Sequence, residues 1–138
     1  LEFRRVLFRS QTADARAFWR ARDINESVDA SEVVDYVNSI HPAEEKTDAL
    51  DRLILSFGSY ELKTVPVAKL QIDAEEDPHG RVIDVDTHYA KRISQQQIKN
   101  NPIVIDRQGH ILDGNHRAWQ ARQLGLTSIP AYVPVKGK

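Results

Sequence analysis

The chain contains no cysteine and no methionine. Without cysteine it can form no disulfide and no thiolate metal site, and this composition is compatible with the cytoplasmic setting expected here. No run of about 18 apolar residues occurs, so neither a transmembrane helix nor a membrane partner is expected. A basic excess is lacking as well: 19 Lys and Arg face 20 Asp and Glu. A domain that follows a nucleic-acid backbone usually carries a basic stripe and a high pI. DNA is therefore a disfavoured partner.

The absence of methionine draws attention to the first ten residues, LEFRRVLFRS, which match the in-frame translation of a common sequencing adapter. Residues 1–10 are accordingly set aside from fold reasoning, and the remainder is expected to be a metagenomic fragment truncated upstream of Gln11, part of a larger parent polypeptide. Setting them aside leaves 16 basic and 19 acidic residues, a net of −3. The charge is uneven, with 5 basic and 10 acidic residues in 11–60 against 11 and 9 in 61–138. The expected organisation is an acidic helical segment over 11–60 followed by an α+β domain over 61–138.

Helical patterns dominate the first part. Thr12–Arg22 is Ala-rich and contains Phe18 and Trp19. Asp29 and Glu32 are spaced like a capping box ahead of the apolar stripe Val33, Val34, Val37 and Ile40, which His41-Pro42 interrupts. A third helix fits Ala43–Phe57, with Leu50, Leu53, Ile54 and Phe57 on one face and Gly58 as its stop. Leu62–Ile72 reads as a strand with Val65, Val67 and Leu70 inward, and Pro66 points to an edge. Val85, Tyr89 and Ile93 predict one face of a helix capped near Asp86 or Thr87. The Gln95-Gln96-Gln97 run is expected to be a helix end and loop.

The most informative stretch is Asn101–Val133. Ile103-Val104-Ile105 is a β-branched strand, Arg107-Gln108-Gly109 a turn, and His110-Ile111-Leu112 a returning strand. Ala118, Ala121 and Leu124 then recur at helical spacing up to Gly125, and Ile129–Val133 forms a last strand whose Pro130 suggests an edge or a strand start. At the strand–helix junction stands Asp113-Gly114-Asn115-His116-Arg117. Gly114 permits a sharp turn and close approach of a ligand, and Asn115 is a good N-cap. The first-turn amides, with His116 and Arg117 as added donors, suit an anion, and phosphate foremost. The plain alternative is an ordinary capped helix whose arginine pairs with a carboxylate.

This stretch resembles the core of the ParB/sulfiredoxin superfamily. There the matching turn reads Gly-Cys-His-Arg in sulfiredoxins, Gly-Glu-Arg-Arg in ParB proteins and Asp-Gly-His-His-Arg in free serine kinases, and it holds nucleotide phosphates. The resemblance implies an α+β fold, a small mixed sheet of the ParB/sulfiredoxin type with a helical N-terminal extension. It also implies that Gly114, His116 and Arg117 bind the phosphates of a nucleotide cofactor, ATP, ADP or CTP, for which Mg²⁺ is a possible companion; Asn115, read above as the cap, is counted with them as a binding candidate. Asn115 stands where sulfiredoxins carry their reactive cysteine, so sulfiredoxin chemistry is excluded.

The acidic run Asp73, Glu75, Glu76 and Asp77 is the second candidate region. The catalytic carboxylate, acting as general base or beside Mg²⁺, is expected from this loop as Glu76 or from the turn as Asp113, with Arg81 as a further phosphate contact. The alternative for the run is a solvated acidic loop, and Asp113 equally suits a structural role in the turn. His110, Asp113 and His116 are weighed as metal ligands and set aside, because they share no helical register. Trp119 suits either core packing or stacking on a base.

Two functions follow as expectations. One is a nucleotide-dependent phosphotransferase or NTPase. The other is a noncatalytic ParB-like module, DNA-associated or regulatory, within a larger phage or plasmid protein. The Glu-Asn-x-x-Arg motif and helix-turn-helix of complete ParB clamps do not occur in this sequence.

Overall fold

The computed structural model describes residues 26–40, 48–72 and 85–135. The Thr12–Arg22 helix expected from sequence, the acidic run containing Glu76, and Arg81 all lie outside these residues. The described elements are β1 (Ser27–Asp29), α1 (Ala30–Ile40), α2 (Asp48–Leu55) and β2 (Ser59–Pro66), then a 3₁₀ turn at Val67–Lys69. After these come α3 (Thr87–Ala90), α4 (Gln95–Asn100), β3 (Ile103–Ile105), β4 (Ile111–Asp113), α5 (Asn115–Gln123) and β5 (Ser128–Pro134). The five strands form one sheet in the order β1-β2-β5-β3-β4. Its β3–β5 pairing is parallel and the others are antiparallel, so the fold is α+β with a small mixed sheet.

Strand alternation sends neighbouring residues into two cores. Val104, Leu112 and Tyr132 join Val28, Val33, Tyr36, Val37, Ile54, Tyr60 and Leu62 under α1 and α2. Ile103, Ile105, Ile111, Ile129 and Ala131 face the other way, onto Val67, Leu70, Ile98, Ala118 and Ala121. A strand covered on both faces has no polar side, which is why β3 reads as an unbroken Ile-Val-Ile. Tyr36, Tyr60 and Tyr132 are fully buried. Tyr36 and Tyr132 meet edge to face at 5.5 Å. The Tyr60 hydroxyl donates to Ile54 O at 2.9 Å. Burial, aided by the negative charge of Asp106, keeps that hydroxyl protonated well above the usual phenol range.

Several expectations are corrected. The boundary anticipated between residues 60 and 61 falls inside β2, and β1, α1 and α2 share a core with β3, β4 and β5. β1 was not anticipated, because three residues carry too little alternation to read. β5 is central rather than an edge. Its Pro130 is opposite Thr64 of β2 and precedes Ala131, the first residue in register with β3, so the missing N–H falls where the sheet is locally narrow. The same holds for Pro66, since β1 flanks β2 only at Ser59–Glu61. Gln95–Asn100 is a helix, opened by a capping box in which Ser94 and Gln97 bond each other's backbone amides at 3.1 and 2.7 Å. Tyr89 is 57% exposed, so it does not share a buried face with Ile93.

Candidate functional site

The Asp113–Arg117 turn is positioned by the hairpin that precedes it. Asp106 is buried, and its Oδ1 accepts from the amides of Gln108 and His110, each at 2.9 Å. Its Oδ2 stands 3.1 Å from His110 Nδ1. This side-chain-to-backbone clasp closes the loop and returns the chain as β4. At Gly114 the chain reverses with φ +106° and enters α5. A Cβ there would lie 2.5 Å from Ile103 Cγ2 and 3.1 Å from Arg117 Nη2. The positive φ bears out the sharp turn read from sequence, and the missing side chain makes room for β3 and the guanidinium.

Asn115 is also reassigned. Gly114 is the N-cap and makes no side-chain cap bond, and Asn115 is the first helical residue. Among the described residues its Oδ1 is buried without a hydrogen-bond partner. The helical ladder opens with Ala118 N donating to Gly114 O at 2.9 Å, so the first-turn amides have no acceptor within the helix. Gly114, Asn115 and His116 are half-buried.

Arg117 departs most from expectation. Its side chain turns inward beneath the turn and is 9% exposed as a residue. Nη2 donates to Asp113 Oδ2 at 3.0 Å, and Nη1 is shared among Asn101 O, Pro102 O at 3.0 Å and the Tyr36 hydroxyl at 3.4 Å. Tyr36 in turn donates to Pro102 O at 2.6 Å. Burial opposes the charged guanidinium, but Tyr36 and Asp113 outweigh it and hold the pKa above its ordinary value. Arg117 thus ties α1, the start of β3, the end of β4 and α5 together. It is not aimed at a ligand. Asp113 is engaged through Oδ2, as in the plain reading of a capped helix whose arginine pairs with a carboxylate.

His116 points the other way. Its Nε2 accepts from Asp86 N at 3.0 Å, and its ring meets Tyr89 edge to face at 5.1 Å. Accepting at Nε2 requires that nitrogen to be unprotonated. One turn along α5, Gln120 Nε2 donates to Lys91 O at 3.3 Å and Ile93 O at 3.2 Å. Trp119 packs partly buried against the second core. His110, Asp113 and His116 thus have three separate sets of partners. Among the described residues no group of three or more His, Cys, Asp or Glu could hold a metal ion.

The cap read near Asp86 or Thr87 is Asp86, whose side chain accepts from Tyr89 N. Sequence reasoning passed over Tyr36, Asp106 and Gln120. Of these, Asp106 carried a local signal, an aspartate three residues before a turn glycine, and the other two act across 27 to 81 residues of sequence.

No family model matches this chain, and no curated protein matches it. A solved structure of a Pnob8-like ParB-N domain is similar to it at 18% identity and a TM-score of 0.39, over 54% of this chain. The chain spans 29% of the length of that protein. What the site does is therefore argued from its own residues. No helix among the described residues is long and apolar enough to cross a membrane.

Proposed function

We propose that this chain is a nucleotide-binding domain whose phosphate seat is the first turn of α5. The supporting observation is the opening of the α5 ladder at Gly114, which places the amides of the first turn, with half-buried Asn115 and His116, at the positive end of a nine-residue helix. In this reading the seat is made by the amides after Gly114, with Asn115 and His116 at its rim. Arg117 shapes it from beneath and touches no phosphate. ATP, ADP and CTP are the candidate ligands, and Mg²⁺ would come with their phosphates.

The pairing of Asp113 with Arg117 favours binding without turnover. Phosphoryl transfer would have to draw its carboxylate from Glu76, with Arg81 as a second phosphate contact, and both lie outside the described residues. A noncatalytic ParB-like module of a larger phage or plasmid protein is consistent with this, and DNA remains disfavoured by charge.

The test is calorimetric titration of the chain with ATP, ADP and CTP, with and without Mg²⁺. The isosteric Asn115→Asp variant places a negative charge at the seat, where the helix dipole tolerates it and a phosphate does not. The expected outcome is an unchanged or slightly higher melting temperature with at least tenfold weaker nucleotide binding. Binding by the variant at wild-type strength would move the seat elsewhere.

A further inference from the structure

The segment from Asp86 to Ile93, which carries α3, is fastened to α5 at two points of different chemistry. At one end Gln120, itself buried, donates to the carbonyls of Lys91 and Ile93. A carboxamide does not titrate, so this hinge is indifferent to pH. At the other end the Asp86 amide donates to His116 Nε2, and Tyr89 rests edge-on against the same imidazole. This fastening exists only while Nε2 is bare. Imidazole gains its proton near pH ~6.5 in its ordinary setting, inside the range in which cells vary. A protonated Nε2 would set one N–H against another, and both the bond and the seating of α3 would be lost.

From this geometry we propose that His116 is a pH-operated latch. Neutral, it holds the Asp86–Ala90 strap against α5. Protonated, it releases the strap about the Gln120 hinge and adds a positive charge at the first turn of that helix. The second consequence rests on the anion-seat reading above. The release of the strap does not.

Other groups that bear on the imidazole come from every element packed on α5. Asp86 and His88 belong to the strap, and Lys91 and Arg92 to the hinge. Arg117 and Arg122 lie on α5 itself, Asp113 at the end of β4, Lys99 on α4 and Lys69 on the 3₁₀ turn. Arg117 and Asp113 neutralise one another beneath the turn. The Asp86 carboxylate accepts from Tyr89 N at 3.2 Å as the α3 cap. His88 is a second imidazole on the strap, and it is replaced as His88→Gln so that the His116 ring is read alone.

The experiment follows the full chain by NMR from pH 8 to pH 5 in the His88→Gln background, reading the His116 ring nitrogens and exchange of the Asp86 amide. The latch predicts an Nδ1–H tautomer at pH 8. It also predicts a fall of at least tenfold in Asp86 protection in step with the His116 titration, while the amides of α5 beyond Gln120 stay protected. In His116→Ala the Asp86 amide should exchange quickly at every pH. Protection that is flat while His116 titrates, or a His116 ring that never titrates in this range, would overturn the latch.

Sulfate, which keeps its charge across this range, separates the two readings. Sulfate affinity that rises at least tenfold between pH 8 and pH 5.5, and stays flat in His116→Gln, supports the coupling of latch and seat. If sulfate binds at neither pH while the Asp86 step persists, the anion seat fails and the latch stands.

Discussion

His116 and Arg117 are adjacent in sequence, share a strand–helix junction and look alike as cationic donors. The fold uses them in opposite ways. Arg117 goes beneath the turn, where Asp113, two backbone carbonyls and Tyr36 surround its charge. His116 goes outward, where its Nε2 accepts from the Asp86 amide and its ring meets Tyr89 edge to face. The difference teaches that the charged residues of a short motif need not form one functional set. The arginine holds the turn together, and the histidine is the residue that can respond to solvent or ligand.

The contrast breaks first at the buried pair. Removing one partner of a buried ion pair strands the other charge, at a typical cost of about 3–5 kcal/mol. Arg117→Ala and Asp113→Ala should each lose that much in urea unfolding. The double variant should be clearly less destabilised than the sum of the two, because it strands no charge. Additive losses would show that the pair is not a unit.

Next is Gly114→Ala, with about 2–4 kcal/mol expected from the left-handed backbone together with crowding against Ile103. Ile103→Ala, which removes the Cγ2 methyl that a Gly114 side chain would meet, should not add its full single-variant cost on top, since the two side chains compete for one space.

Smaller are Tyr36→Phe, about 1–2 kcal/mol for a bond to Pro102 O and a longer one from Arg117, and His116→Ala, about 1 kcal/mol for its bond from the Asp86 amide. They differ in pH behaviour. Neutral His116 supports the fold, so its contribution should be present at pH 8 and fade as pH falls below about 6.5. The loss in Tyr36→Phe should be the same at both pH values. A His116→Ala loss as large as that of Arg117→Ala would erase the distinction between the two residues.

The strand–turn–strand–helix–strand order of Asn101–Val133 was legible because its signals are local: β-branched runs, a turn glycine, helical spacing and a glycine stop. Strand order was not, because proline excludes a strand only from places where its N–H is needed. Pro66 and Pro130 sit beyond the reach of short neighbours and so misled the edge inference. At the site, the turn and its glycine were legible, but the direction of each side chain was not. Whether Arg117 points in or out is decided by the carbonyls of Asn101 and Pro102 and by Tyr36, which sequence spacing does not bring together. The capping box at Ser94 could have been read from its Ser-x-x-Gln pattern, had the glutamine run not been taken for loop.

The Tyr36 hydroxyl, held between Pro102 and Arg117, has one further consequence for anyone trimming this chain. A protein beginning at Glu61 would keep the whole motif on paper. It would nonetheless strip the cover from Val104, Leu112 and Tyr132 and take away Tyr36, through which α1 reaches Pro102 and Arg117. The smallest piece that can be studied on its own therefore starts ahead of Ser27, and a shorter one would report on an exposed sheet rather than on the turn.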